Sequence, residues 1–268
     1  MESLILNHEK SARLLVFVFL LLLFMALEFL LPRKKRELSR RRRWPANLSV
    51  VILNTLILRL LFPAAGLGMA LWTQTQGWGL FNQVGMPALL LFLLSLLILD
   101  LAIYGQHLLM HKLPVLWRMH RMHHADLDID VTTGLRFHPL EIVLSMLIKF
   151  LVILVLGPSP AAVIVFEILL NATSLFNHSN LAIKTSLDRV LRKVLVTPDM
   201  HRVHHSRRRD ETNSNYGFNL PWWDYLFATY HAQPVDGHDD MIIGIPDWTR
   251  ESDCTHLPGM LVLPFRRL

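Results

Sequence analysis

The sequence contains one cysteine, Cys254, in 268 residues. A single thiol excludes an internal disulfide, a four-cysteine iron–sulfur cluster and a zinc ribbon. Two other signatures are missing. There is no His-Glu-x-x-His, the helix-borne zinc site with its own general base, and no Gly-x-Gly-x-x-Gly to cradle a dinucleotide. No stretch reads as an extra haem domain, no low-complexity tail is present, and nothing repeats except the short histidine units below. The polarity of a soluble domain is lacking too. The chain is 52% hydrophobic, with a mean hydropathy of +0.36. Its net charge of +6 and pI of about 9.8 would suit nucleic acid if evenly spread. The charge is instead clumped beside apolar runs, which is the pattern of membrane topology, so no nucleic-acid partner is expected.

Those runs set the expected layout. Residues 14–31 form an apolar stretch broken only by Glu28 and followed by Pro32 and Arg33-Lys34-Lys35-Arg36. It is longer than a signal-peptide core and lacks a small-residue cleavage site, so a retained first membrane helix is expected. Residues 33–43 hold eight basic residues and one acidic one. By the positive-inside rule this loop is cytoplasmic and the N-terminus outside. A second span is expected over residues 48–72, with Arg59 inside it as a candidate partner for Glu28, and a polar outer loop over residues 73–83. A third span, residues 87–104, runs back and continues as helix through His111, breaking before Pro114. A short helix follows at residues 116–124, then a loop at 126–136. Residues 141–156 and 161–176 are two apolar runs, short for full spans, separated by Gly157-Pro158-Ser159-Pro160.

Against this background the histidines stand out. His107 and His111 are four apart and share a helix face. His120, His123 and His124 form a His-x-x-His-His unit, and His201, His204 and His205 repeat it. Thr197-Pro198-Asp199 marks a helix start ahead of the repeat. A lone His-x-x-x-His pair is more often a surface or satisfied core feature than a metal site. Three such units in one chain are not. Neutral imidazole suits iron, zinc, copper and nickel, and eight nitrogens suffice for two ions with about four each. Counting crossings from an outside N-terminus brings all three units, and His178, to the cytoplasmic face.

Two rival readings remain at this level. A zinc-dependent membrane hydrolase needs three ligands, an open position and a carboxylate base, so this many imidazoles are too many. A non-enzymatic metal-binding or transport protein should carry its ligands at mid-membrane on broken helices, whereas these lie at the edge. Iron against zinc by elemental analysis separates the first; metal flux in vesicles separates the second.

Taken together, His107-x-x-x-His111, His120-x-x-His123-His124 and His201-x-x-His204-His205, with Leu116-Trp117-Arg118, Arg136-Phe137-His138-Pro139-Leu140-Glu141, Asn177-His178-Ser179-Asn180, Asn215-Tyr216-Gly217 and Trp223-Asp224, resemble the fatty acid hydroxylase and sterol desaturase superfamily over about residues 90–230. The resemblance implies an all-α polytopic membrane bundle with a histidine-rich cytoplasmic cap, two iron ions, O2 as co-substrate, and hydroxylation or desaturation of a lipid C–H bond. It implies His107, His111, His120, His123, His124, His178, His201, His204 and His205 as metal ligands. His138 is implied as a tenth ligand or a supporting partner, and Asp126 and Asp224 as acceptors for metal-bound imidazoles. Electrons must come from an external reductase, ferredoxin or haem protein. The membrane is a bacterial inner membrane, which the compact length favours, or the endoplasmic reticulum of a eukaryote. Three divisions are expected: residues 1–86 with the first helices and basic loop, 87–235 with the histidine units, and 236–268 as a tail.

Overall fold

The computed structural model describes residues 2–246 and 250–266; residues 1, 247–249 and 267–268 lie outside it, the last five of them within the expected tail. Among the described residues the regular elements are all helical. They are α1 (Glu2–Leu30), α2 (Arg40–Leu61), α3 (Ala65–Gln76), α4 (Ala88–Lys112), α5 (Pro114–His124), α6 (Pro139–Leu156), α7 (Pro160–Asn177), α8 (Thr185–Leu191), α9 (Pro198–His204), α10 (Arg209–Thr212), α11 (Trp222–Leu226), α12 (Gly237–Asp240), α13 (Glu251–Thr255) and α14 (Leu257–Val262). Five stretches are long and apolar enough to cross a bilayer: Ser11–Leu30, Arg40–Asn82, Ala88–Lys112, Pro139–Leu156 and Pro160–Asn177. Their bare faces agree with that reading. Ile52, Leu56 and Leu60 on α2, and Leu147, Leu151 and Val155 on α6, form rows four residues apart that are about half exposed or more. Such rows are costly in water and ordinary against lipid. This is a multi-pass membrane protein.

Local chemistry sets the helix ends. α6 opens on His138, whose ring accepts from the Leu140 amide, with Pro139 in the first turn. It closes on Gly157, whose φ of 64° is cheap only for glycine. α7 opens two residues later, with Ser159 capping the Ala162 amide and Pro160 in the first turn. Each helix rises about 27 Å at 1.5 Å per residue, so both are long enough to cross the hydrocarbon core rather than stopping short. α4 runs unbroken through His111 and stops at Leu113. Pro114 then serves as the first residue of α5, two residues earlier than the sequence reading placed that helix.

The second span differs from expectation. The helix begins at Arg40, inside the basic run, breaks at Phe62–Ala64 around Pro63, and resumes as α3 to Gln76. Pro63 stops α2 because its ring cannot follow a helical turn. The first part of the expected outer loop, residues 73–76, is therefore helix. The true turn lies at Gly77–Gly79, where Asn82 Nδ2 donates to Trp78 O (2.6 Å) and approaches Gly157 O (3.4 Å). The expected Glu28–Arg59 pair does not form. Glu28 is fully buried and its Oε1 accepts from the amides of Val131 and Asn180, both at 2.7 Å, while Arg59 is exposed. Glu28 thus ties the end of α1 to the loop before α6 and the segment after α7. Deeper in the bundle, Glu167 of α7 binds Arg13 of α1 (2.5 Å) and Lys149 of α6 (2.6 Å).

Below the bundle the basic run is partly structural: Lys35, Arg41 and Arg42 are exposed, but its last arginine is not. Arg43 is fully buried and grips Asp126 through Nε and Nη2 (2.7 Å each) and Asp130 through Nη1 (2.6 Å). Burial alone would raise the Asp126 carboxyl, but Arg43 and Arg136 outweigh it and hold it down at about 2. A carboxyl held lower in the folded than in the unfolded chain stabilises the fold at neutral pH. That contribution fades as pH falls from the ordinary range of about 4 through about 2. Arg136, also fully buried, donates to Met122 O at 2.8 Å and to Cys254 O. The 126–136 loop is thereby clamped between α2, α5 and the C-terminal helices α13 and α14. Replacing Arg43 by methionine leaves buried Asp130 without this cation and Asp126 with Arg136 at 3.7 Å in its place, which costs about 3–5 kcal/mol. Arg43→Met is therefore expected to lower the thermal midpoint of detergent-solubilised protein sharply. Arg43→Lys should not restore it, because an ammonium cannot serve both carboxylates as a fork; unchanged melting of either variant would show that the network contributes nothing.

Candidate metal centre

Nine of the ten histidines expected at the site converge, from four elements. α4 supplies His107 and His111 in its last turns, α5 supplies His120, His123 and His124, His178 ends α7, and α9 with its C-cap supplies His201, His204 and His205. They divide into two groups: His107, His111, His120, His124 and His204 in one, and His123, His178, His201 and His205 in the other. Within each group the ligand nitrogens lie within 4.8 Å of one another. Helix geometry explains the division. Residues i and i+4 stand about 40° apart around a helix, and i+3 falls about 60° to the other side. So His107 pairs with His111, His120 with His124, and His201 with His205, while the i+3 members His123 and His204 cross to the other group. Both His-x-x-His-His units thus feed both groups, which are adjacent: the His124 and His205 rings stack at 4.5 Å and 20°.

All nine are buried except His111, which is partly so. Burial pushes His178 down to about 4 and His204 to about 3, and carries His123, His124, His201 and His205 well below the ordinary range, neighbouring imidazoles adding to the effect. These rings are neutral, the form that binds metal. Backbone carbonyls fix several tautomers. The Nδ1 of His107 donates to Tyr216 O (2.8 Å), that of His204 to Ser214 O (2.7 Å), that of His178 to Ser174 O (2.8 Å) and that of His123 to Arg136 O (3.3 Å). Each Nε2 is then a bare lone pair. The Nε2 atoms of His107, His111, His204 and His205 are buried with no hydrogen-bond partner.

Others face each other. His123 Nε2 and His178 Nε2 are 3.1 Å apart, and His201 Nε2 is 3.0 Å from His178 Nε2. His120 Nε2 and His124 Nε2 are 3.2 Å apart. Between His123 and His178, whose Nδ1 atoms carry the protons, both facing Nε2 atoms are lone pairs, which do not hydrogen-bond to each other. Two nitrogens bound at about 2.1 Å and at right angles to one cation stand about 3 Å apart, which is this spacing. The donor set fits two metal ions.

The supporting contacts depart from expectation at three residues. His138 stands outside both groups; besides capping α6, its Nε2 lies 3.2 Å from Leu261 O. Asp126 is committed to Arg43 and Thr133. Asp224 accepts from the Tyr216 and Gly217 amides (2.8 Å each) and from Thr229 (2.7 Å). Neither carboxylate touches an imidazole. The acid that does is Glu141, in the first turn of α6, which accepts from His120 Nδ1 at 2.7 Å in a buried pair. Sequence reasoning placed Glu141 only as a helix start. The clue was an acid at the mouth of a membrane helix with no basic residue one turn away. The four carbonyls leave no mark in sequence. Gly134 is fixed by the site as well, since a Cβ there would stand 2.7 Å from Ser174 O and 3.1 Å from His178 Nδ1.

Comparison with known proteins agrees with this geometry. The chain is 32% identical over 149 residues to ornithine lipid hydroxylase OlsE of Rhizobium tropici, covering 55% of this chain and 44% of that protein. It is 31% identical over 138 residues to human alkylglycerol monooxygenase, covering 50% of this chain and 29% of that one. Thus the chain matches less than half the length of these relatives. No solved structure matches. The fatty acid hydroxylase profile matches residues 92–229, just over half of the 268 residues and the whole stretch from α4 to the Tyr216–Thr229 segment, so this chain belongs to the fatty acid hydroxylase family.

Proposed function

We propose that this protein is a membrane-bound di-iron oxygenase that uses O2 to hydroxylate or desaturate a C–H bond of a lipid. The observation that carries this reading is the set of imidazole nitrogens turned toward one another, in a group of five and a group of four, all buried except His111, which is partly so. His107, His111, His120, His124 and His204 would hold one iron, and His123, His178, His201 and His205 the other. Iron held there would supply the redox chemistry for O2, with the balance C–H + O2 + 2 e⁻ + 2 H⁺ → C–OH + H2O for hydroxylation.

The protein's part is to hold, shield and admit. Glu141 orients His120 and makes it a stronger donor. Burial excludes bulk water from the imidazoles. A small cavity between α4, α6 and α7, lined by Leu99, Ile103, Gln106, Lys149, Val152 and Phe166, reaches α4 one residue before His107. Gln106 Nε2 there donates to Ser145 Oγ (2.6 Å). Activity on a polar lipid is consistent with the names of the two relatives. Among the described residues nothing is built to store electrons. A reductase, ferredoxin or haem protein would supply them, with the histidine face on the cytoplasmic side where the basic runs also lie. A hydrolytic zinc site has no need of nine imidazoles.

Three outcomes are expected. Purified protein should contain about two irons per chain by elemental analysis. His124→Ala and His205→Ala should each lower that content, and His138→Ala should leave it unchanged; zinc in place of iron would overturn the assignment. Glu141→Gln should weaken iron retention against a chelator by about 10–100-fold, measured as the chelator concentration that removes half the metal; equal retention would remove Glu141 from the site. Membranes carrying the protein and a reductase system, incubated under ¹⁸O2, should yield a lipid bearing one ¹⁸O atom or one lighter by two hydrogens, absent with His205→Ala. No such lipid from any pool would end the oxygenase reading.

A further inference from the structure

Helix α11 packs against the turn that follows α8, on the histidine face, and the two leave an apolar surface unpartnered. Leu187, Val190 and Val194 bare one row, spaced three and four apart; Trp222, Leu226 and Phe227 bare the other, with Leu226 67% exposed. The polar atoms of the aromatic residues are turned inward. Trp222 Nε1 donates to Lys193 O (2.7 Å) and Tyr225 Oη to Arg192 O (2.8 Å). Rings whose polar atoms are already satisfied need no water, which is the requirement for sitting in hydrocarbon. Exposed Lys184, Arg189 and Lys193 border the apolar surface.

Depth identifies what covers it. Trp223 Nε1 and the Leu220 amide both bind Asp100 Oδ2 of α4 (2.8 and 3.3 Å), and Phe227 stacks on Tyr104 of the same helix at 5.5 Å. Asp100 lies about 18 Å from the far end of α4 at 1.5 Å per residue, against a hydrocarbon core about 30 Å thick. The platform is therefore anchored inside the membrane slab and not beneath it. Its apolar surface continues the lipid-facing surface of the bundle, and its cations lie where lipid phosphates begin.

We propose that α8 and α11 form an in-plane platform seated in the lipid leaflet on the histidine side, its partner being the phospholipid surface itself. The seat is tied to the metal centre. The opposite face of α11 carries Asp224, which holds the Tyr216 and Gly217 amides, and Tyr216 O in turn accepts from His107 Nδ1. A platform lifted from the leaflet would disturb the segment that orients His107.

Cys254 is fully buried, so an introduced cysteine can be labelled selectively. Leu226→Cys, Leu187→Cys and, as a reference at the base of the cap, Ser252→Cys are each labelled with an NBD fluorophore. The full chain is then placed in nanodiscs of phosphatidylcholine and phosphatidylglycerol. Labels at 226 and 187 should emit to the blue of 252, be quenched several-fold more by a nitroxide on the upper acyl chain, and be protected from aqueous iodide. Two positions guard against one variant folding badly, and the readout needs neither iron nor turnover. Iodide quenching at 226 and 187 as strong as at 252, without lipid quenching, would overturn the proposal. So would protection that appears only on self-association, seen as energy transfer between labelled copies, which would make the surface a contact between copies of this chain.

Discussion

Unshielded nitrogen lone pairs brought together in a dry interior repel one another, and the architecture on the histidine face is the means of holding them there. Hydrogen bonds among the rings are few, because the carbonyls of Tyr216, Ser214 and Ser174 take the N–H groups of His107, His204 and His178. The restraint comes from elements behind the rings. The 126–136 loop is fixed by Arg43, Arg136 and Glu28; α9 is tied through Arg202, which is fully buried and donates to Ser179 O (3.4 Å), and through Asp199, which accepts from Arg33 (3.3 Å). A cation at the centre would turn this repulsion into attraction, so that metal and scaffold would stabilise each other.

The division of each His-x-x-His-His unit across both groups has a further effect. A shift of α5 or α9 as a rigid body would move ligands of both prospective ions together. The two groups are therefore not independent modules, and their relative placement follows from the pitch of two short helices. The asymmetry between them lies elsewhere, in the five-to-four count and in the carboxylate that only His120 receives.

Much of this could be read from the residues. The three histidine units announced themselves by spacing, and the first and third spans by apolar length, whereas the runs that form α6 and α7 looked short for spans; α4 ended where Pro114 required. The second span was misread because its length was taken from hydropathy alone. Arg40 to Arg43 belongs to the helix since Asp126 and Asp130, more than 80 residues away, neutralise Arg43, and no local pattern reports such a partner. The same holds for Glu28, whose partners are two amides rather than the arginine that charge-matching suggested. Asp126 and Asp224 were natural guesses as imidazole acceptors because metal-bound imidazoles usually donate their other N–H to an acceptor and both lie in the motifs that carry the resemblance or next to them. The structure spends them on holding loops, and gives the imidazole role to an acid on another helix.

The contact between Arg13 and Glu167 spans 154 residues of sequence, and this bears on how the protein is made. A ribosome delivers α1 to the bilayer well before α7 exists. Until then Arg13 has Glu9, one turn away on the same helix, but not Glu167, and Glu28 lacks the Val131 and Asn180 amides; a charge in that setting is expensive. The polar contacts that seat α1 are therefore complete only once the segment after α7 has been made. An early helix is finished by residues synthesised more than a hundred positions after it.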